Sequence, residues 1–155
     1  MSYTVFKLMH LLGVVLLLGN IIVTAAWKLA ADRHGNPAVV AFAQRMVALT
    51  DFAFTLPGVV LTLVGAYGMG WLGGFSLWQP GWIAWGHALF IVSGVIWLVV
   101  LVPTQIQQGR LAASFSASPS IPARYWQLNR RWIAWGVAAT LLPLVNMGLM
   151  VLRPQ

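Results

Sequence analysis

Four long apolar runs dominate the chain, at about 4–30, 46–70, 81–103 and 132–152, each broken off by polar or turn-forming residues. A helix needs roughly 20 apolar residues to cross the hydrocarbon core, so each run is long enough to span it. The first break, His34-Gly35-Asn36-Pro37, pairs an N-capping side chain with a proline suited to the first helical turn. The second helix is therefore expected to begin at Pro37, well before its apolar core. The second break runs from Gly70 to Gly81 and is rich in glycine and tryptophan. The third, about 108–122, is small, polar and serine-rich, and reads as an irregular linker. The predicted elements are helices at about 3–31, 37–70, 81–107 and 123–152. Short connections make neighbours antiparallel, so the expected fold is all-α, an integral membrane four-helix bundle running up-down-up-down. The first run is longer than a signal-peptide core and no small-x-small cleavage site follows it, so it is expected to stay as a helix.

Composition agrees. Of 155 residues, 60% are hydrophobic and only 7% charged, too few to give a soluble domain its polar skin. The formal charge of +7 arises from nine basic residues against Asp32 and Asp51. The bases sit in short segments between the apolar runs rather than along one stripe, which is a topology signal and not a nucleic-acid surface. Lys28, Arg33 and Arg45 flank the first connection and Arg110, Arg124, Arg130 and Arg131 the third, whereas the second carries none. The positive-inside rule then predicts both termini on the outer side of the membrane. There is no cysteine, which excludes disulfides and thiolate chemistry. Phosphate-binding loops, zinc-protease motifs, nucleophile elbows and paired catalytic carboxylates are all missing from the sequence.

Ionisable and polar residues inside the spans are the candidates for function. His10 and His87 fall at similar points in the first and third helices, each roughly 10 Å below the same surface at 1.5 Å per residue. Two imidazoles at matched depth across a bundle can be the axial ligands of a b-type haem. Alternatively, each is a helix-end histidine bonded to a carbonyl. His10, Gly13, Leu17, Asn20, Thr24 and Lys28 recur every three or four residues and make one face, on which Gly13 leaves room for a flat ring or a close helix. Asp51, Thr55, Gly58, Thr62, Gly65 and Met69 form a second face; Trp132, Gly136, Thr140, Pro143 and Met147 form a third. Met147 can be read as a soft ligand near the histidine level or as core filling. Asp51 is the one acid deep in a span, and an ion pair with Lys28, Arg130 or Arg131 is expected, Arg45 being about 240° away round its helix. Trp71, Trp78, Trp82 and Trp126 read as interfacial anchors. Arg45 precedes Pro57 by twelve residues, as Arg131 precedes Pro143, which suggests a helical hairpin repeated in parallel.

The string Lys7-Leu-Met-His10-Leu-Leu-Gly13-Val-Val, with Gly19, resembles the CopD/HemJ-like group of bacterial integral membrane proteins. Gln44-Arg45, Pro57-Gly58, Gly65, Gly81-Trp82 and Asn129-Arg130-Arg131 extend the resemblance over most of the chain. It implies a four-to-five-helix fold in the bacterial inner membrane, with His10 at the position of the group's haem-binding histidine. HemJ-type members are associated with haem b and protoporphyrinogen oxidation, CopD-type members with copper. Gly86-His87 stands where HemJ-type proteins carry a lysine, and Leu16 and Leu17 stand where they carry tryptophan and arginine. The resemblance thus implies an uncharacterised branch. Three functions stay open: a haem-b redox protein acting on a quinone or porphyrin with a redox partner, a copper-handling protein using His10, His87 and methionines, and a subunit or homo-oligomeric scaffold without chemistry.

Overall fold

The computed structural model describes residues 2–153 apart from Phe75, Leu77, Pro80, Ser116 and Pro119. Among these, four long helices are present and no strand: α1 Tyr3–His34, α2 Pro37–Gly73, α3 Gly81–Phe115 and α4 Ala123–Leu152. Each is long and apolar enough to cross a membrane. Both termini lie at one end of the bundle, the terminal end. The α1–α2 and α3–α4 connections lie at the other, the basic end, with the exposed Arg33, Arg45, Arg110, Arg124, Arg130 and Arg131 near them.

The first connection forms as its residues dictate. Gly35 takes the left-handed conformation (φ 72°) that closes α1, and Asn36 Oδ1 accepts from Ala38 N at 3.0 Å and Val39 N at 3.3 Å, with Pro37 opening α2. The third connection is shorter than expected, because α3 continues eight residues past 107. Gln108, Ala112 and Phe115 recur at helical spacing, and Ala112 and Phe115 bury themselves against Val40, Ala41 and Tyr125, so tertiary packing overrides the polar composition. Of the serine-rich stretch 114–120, Ser114 is helical, while Ser116 and Pro119 are outside the described residues, as is the breaker Pro80.

Two helices contain a widened π turn, Asp51–Thr55 in α2 and Trp97–Leu101 in α3. Each lies at the same offset before a proline, Pro57 and Pro103. Proline removes a backbone donor and its ring collides with the carbonyl four residues earlier, here Ala53 and Val99, both inside the widened turns. Opening the turn by one residue relieves that collision. Pro143 lies within unbroken α-helix. The local geometry therefore relates α2 to α3 rather than α2 to α4, and the Arg-to-Pro spacing shared by α2 and α4 is not matched by a shared kink.

The helices make two tight pairs that diverge. α1 lies against the Leu56–Gly73 half of α2 through glycines: a Cβ on Gly13 would strike Thr62 N, and one on Gly58 would sit 2.8 Å from Leu17 N. The Gly81–Ile96 half of α3 pairs with α4, tied by Ser93 Oγ donating to Ala139 O at 2.8 Å. Toward the terminal end the pairs part, and no Cα of Leu56–Gly73 or of α1 comes within 8 Å of one in Gly81–Ile96. Toward the basic end all four helices close up: Pro37–Thr50 packs on α1 and meets Val102–Phe115, which packs on α4, and α1 touches α4 directly.

Candidate functional site

The parting of the two pairs leaves a cleft of about 490 Å³ in the middle of the bundle. Leu17, Ile21 and Thr24 of α1 face Trp132, Gly136 and Thr140 of α4 across it, with Val59 of α2 and Phe90 and Trp97 of α3 on its walls. Ile22, Val137 and Leu141 on α1 and α4, and Leu56 and Leu98 on α2 and α3, are exposed at its rim, so the cleft reaches the lipid-facing surface. The two π turns abut its floor, supplying Asp51 and Thr55 from one and Trp97 and Leu101 from the other.

Asp51 is the chemical centre of that floor. Its Oδ1 accepts from Asn20 Nδ2 at 3.0 Å and Thr55 Oγ1 at 2.9 Å, and its Oδ2 accepts from Gln105 Nε2 at 2.8 Å. Asn20 Nδ2 is also 2.9 Å from Thr55 Oγ1, so α1, α2 and α3 are stitched at one level. A carboxylate offers about four acceptor positions; three are taken, and the last is left for Trp97, beside the carboxyl, or for a ligand. Trp132 lines the same cleft, and its Nε1 donor is buried without a partner.

The ion pair expected at Asp51 does not form. Arg45, Arg130 and Arg131 are exposed at the basic end, where water solvates them. Lys28, 1% exposed, lies one level nearer that end and meets the acid on its own helix, with Nζ 3.0 Å from Asp32 Oδ2. It also donates to Tyr125 Oη at 3.0 Å and Asn129 Oδ1 at 2.8 Å, and sits over the rings of Tyr125 and Trp132. The basic residue thus pins α1 to α4, and Asp51 is held by amides and a hydroxyl. Among the described residues no base reaches its carboxyl within ion-pair distance.

Both histidines turn to α2 rather than to each other. His10 Nδ1 is 2.9 Å from Thr62 O, and His87 Nε2 is 3.2 Å from Tyr67 Oη, with the Tyr67 and Trp78 rings edge-on to it. Neither lines the cleft. The room expected beside Gly13 is occupied by the α2 backbone. Met147 is 46% exposed, on the outside of α4. The His10 Nδ1–H bond to a carbonyl orients the ring and leaves Nε2 unpartnered, the kind of support metal-ligating histidines commonly have. No cluster of three or more metal-ligating His, Cys, Asp or Glu side chains occurs among the described residues.

Gln105, Gln108 and Tyr125 are site residues that the sequence did not single out, and Gln44 and Asn129 stood out in it only as part of the resemblance. Their signal was available: uncharged amides at helical spacing in chain otherwise suited to a membrane seek each other.

A family model described as "Predicted integral membrane protein (DUF2269)" matches residues 4–154, so the chain belongs to that family of predicted integral membrane proteins. No curated protein and no solved structure matches it.

Proposed function

We propose that the protein binds a lipid-soluble molecule of the quinone/quinol class in the cleft between α1 and α4, with the ring head at Asp51 and the tail leaving past Ile22 and Val137. The observation that carries this reading is the cleft itself, apolar on its walls yet ending on the Asp51 carboxyl and the Thr55 hydroxyl, with Trp132, whose Nε1 is buried without a partner, lining it as well. Small-molecule sites of 300–1,000 Å³ commonly combine apolar walls with a few convergent polar groups. A hydroxyl on a ring can donate to Asp51 while accepting from Trp132, and a quinone carbonyl can accept from Trp132. Trp97 and Phe90 offer faces for the ring to stack on.

The test is quenching of tryptophan emission in detergent-solubilised protein by a short-chain benzoquinone. Saturable quenching is expected, abolished by Gly136→Leu, because a side chain there meets nothing within 4 Å of its Cβ and grows into the cleft without disturbing packing. Trp132→Phe keeps an aromatic side chain while removing the indole donor, and should weaken binding by roughly three- to tenfold, the worth of one hydrogen bond. Quenching that never saturates and is equal in all three proteins refutes the reading.

His10 favours a second element, haem b held through its Nε2. The support is the Nδ1 bond to Thr62 O, together with the CopD/HemJ resemblance around His10. A bound haem would supply one-electron chemistry to the quinone, and His10 would hold and orient it. A Soret band in the purified protein that His10→Ala removes is the expected result. A protein that stays colourless after expression with ample haem refutes this element, leaving copper binding or a scaffold role beside the cleft.

A further inference from the structure

Between Asp51 and the basic end, buried polar side chains follow one another, and two atoms among them lack partners. Gln44 and Gln108 are both 0% exposed, yet Gln44 Nε2 and Gln108 Oε1 have no hydrogen-bond partner. The orientation of the Gln108 amide is fixed by Lys28, an ammonium that can only donate. Lys28 donates to Asn129 Oδ1, and so does Gln108 Nε2, at 3.3 Å. Turning the Gln108 amide over would set two acceptors against each other, so its oxygen is the atom left over. Lys28 also donates to Tyr125 Oη, whose hydrogen then goes to Asp32 Oδ1 at 3.4 Å or Gln44 Oε1 at 3.5 Å. Where that hydrogen goes to Gln44 Oε1, the Gln44 amide nitrogen is the atom left over. The leftovers are one donor and one acceptor, on helix segments that pack together, both close to the Lys28 cluster.

Burying such groups unpaired costs about 1–3 kcal/mol each, and a water bonded to both removes that cost, since buried water characteristically sits where two to four polar groups lack partners. Gln108 lies one turn from Gln105, whose Nε2 donates to Asp51, and Gln44 lies two turns before Asp51 on the same face of α2, so both amides lie on the Asp51 side of their helices, toward the basic end. We propose that ordered water joins Gln44 Nε2 to Gln108 Oε1 and completes a polar passage from Asp32 at the basic end to Asp51, putting the floor of the cleft in contact with the aqueous phase at that end. The charged or titratable groups facing the passage are Lys28 and Asp32 from α1, Asp51 from α2 and Tyr125 from α4; α3 contributes amides alone. The passage gives a proton lost by a ligand at Asp51 a route out of the membrane interior. That role rests on the cleft reading, whereas the water itself does not.

Water-edited solid-state NMR of the full chain in bilayers, with labelled glutamine and aspartate, tests the proposal. Magnetisation from water should reach the Gln44 and Gln108 side-chain nitrogens and the Asp51 carboxyl within about a factor of two of the rate at exposed Gln107 and Gln127. Gln108→Leu should slow the transfer to Gln44 and Asp51 by about fivefold or more. Slow transfer in the wild-type protein overturns the proposal without any variant. Fast transfer to Asp51 that survives Gln108→Leu overturns it too, because the water would then enter from the cleft. A dry passage with saturable quinone binding removes this inference alone; a wet passage without quinone binding removes the cleft reading alone.

Discussion

Replacing Asp32 by asparagine probes how the buried lysine is held. Lys28 Nζ has three oxygen partners, Asp32 at 3.0 Å, Tyr125 at 3.0 Å and Asn129 at 2.8 Å, and only Asp32 carries charge. Removing one partner of a buried ion pair typically costs about 3–5 kcal/mol. Two hydrogen bonds to the ammonium survive here and the asparagine oxygen can still accept, so the expected loss is about 2–3 kcal/mol. That is roughly a 30- to 160-fold rise in the unfolding constant, measurable by circular dichroism as protein in mixed micelles is titrated with SDS. The double variant Lys28→Met, Asp32→Asn removes the charge as well. Tyr125 keeps Gln44 and Asn129 keeps Gln108 as partners, so the double variant should recover to within about 1 kcal/mol of wild type. A single variant as stable as wild type, or a double variant worse than the single, refutes this reading of the cluster.

Glycine positions give a paired comparison. Gly65→Val should disrupt the α1–α2 pair, because its Cβ would lie 2.5 Å from His10 N, and an overpacked site costs about 1–3 kcal/mol; Gly19→Val, with nothing within 4 Å, should unfold at the wild-type SDS fraction. Gln105→Leu should destabilise by about 1–3 kcal/mol by stripping Asp51 Oδ2 of its donor, with Gln107→Leu, at an exposed position, near neutral in the same titration. Deleting Phe52, 73% exposed within the α2 π turn, closes that turn to α geometry and restores the Pro57 collision, so it should leave a helical protein destabilised by about 3 kcal/mol; deleting Leu63 in regular helix, which also rotates Gly65 off α1, should cost more in the same titration.

Much of this architecture was legible in apolar run length and in a few breakers. Asn36, Pro37 and Gly35 gave the α1–α2 connection because caps act locally. The faces through His10–Lys28 and Asp51–Gly65 were readable because small and polar residues must turn away from lipid. The end of α3 was not readable, since Ala112 and Phe115 are helical only by virtue of what Tyr125 and Val40 offer them. Nor were the two π turns, which answer a proline clash without a residue signature of their own. His10 and His87 share a depth in the sequence pattern, which fixes no pairing by itself. Rotation about the helix axis decides what a side chain meets, and both rings meet α2. Asp51 drew attention as a charge seeking a base, but in a buried site three neutral donors can do the same work.

The most direct test of the cleft is to map where a photoactivatable benzoquinone attaches to the full chain in bilayers, using mass spectrometry. Labelling concentrated on the cleft walls, at residues 90–98 and 132–143, competed away by the unmodified quinone and lost in Gly136→Leu, is the predicted result. Labelling spread over lipid-facing residues such as Val15, Val60 and Val99, unchanged by competitor or by Gly136→Leu, would contradict it.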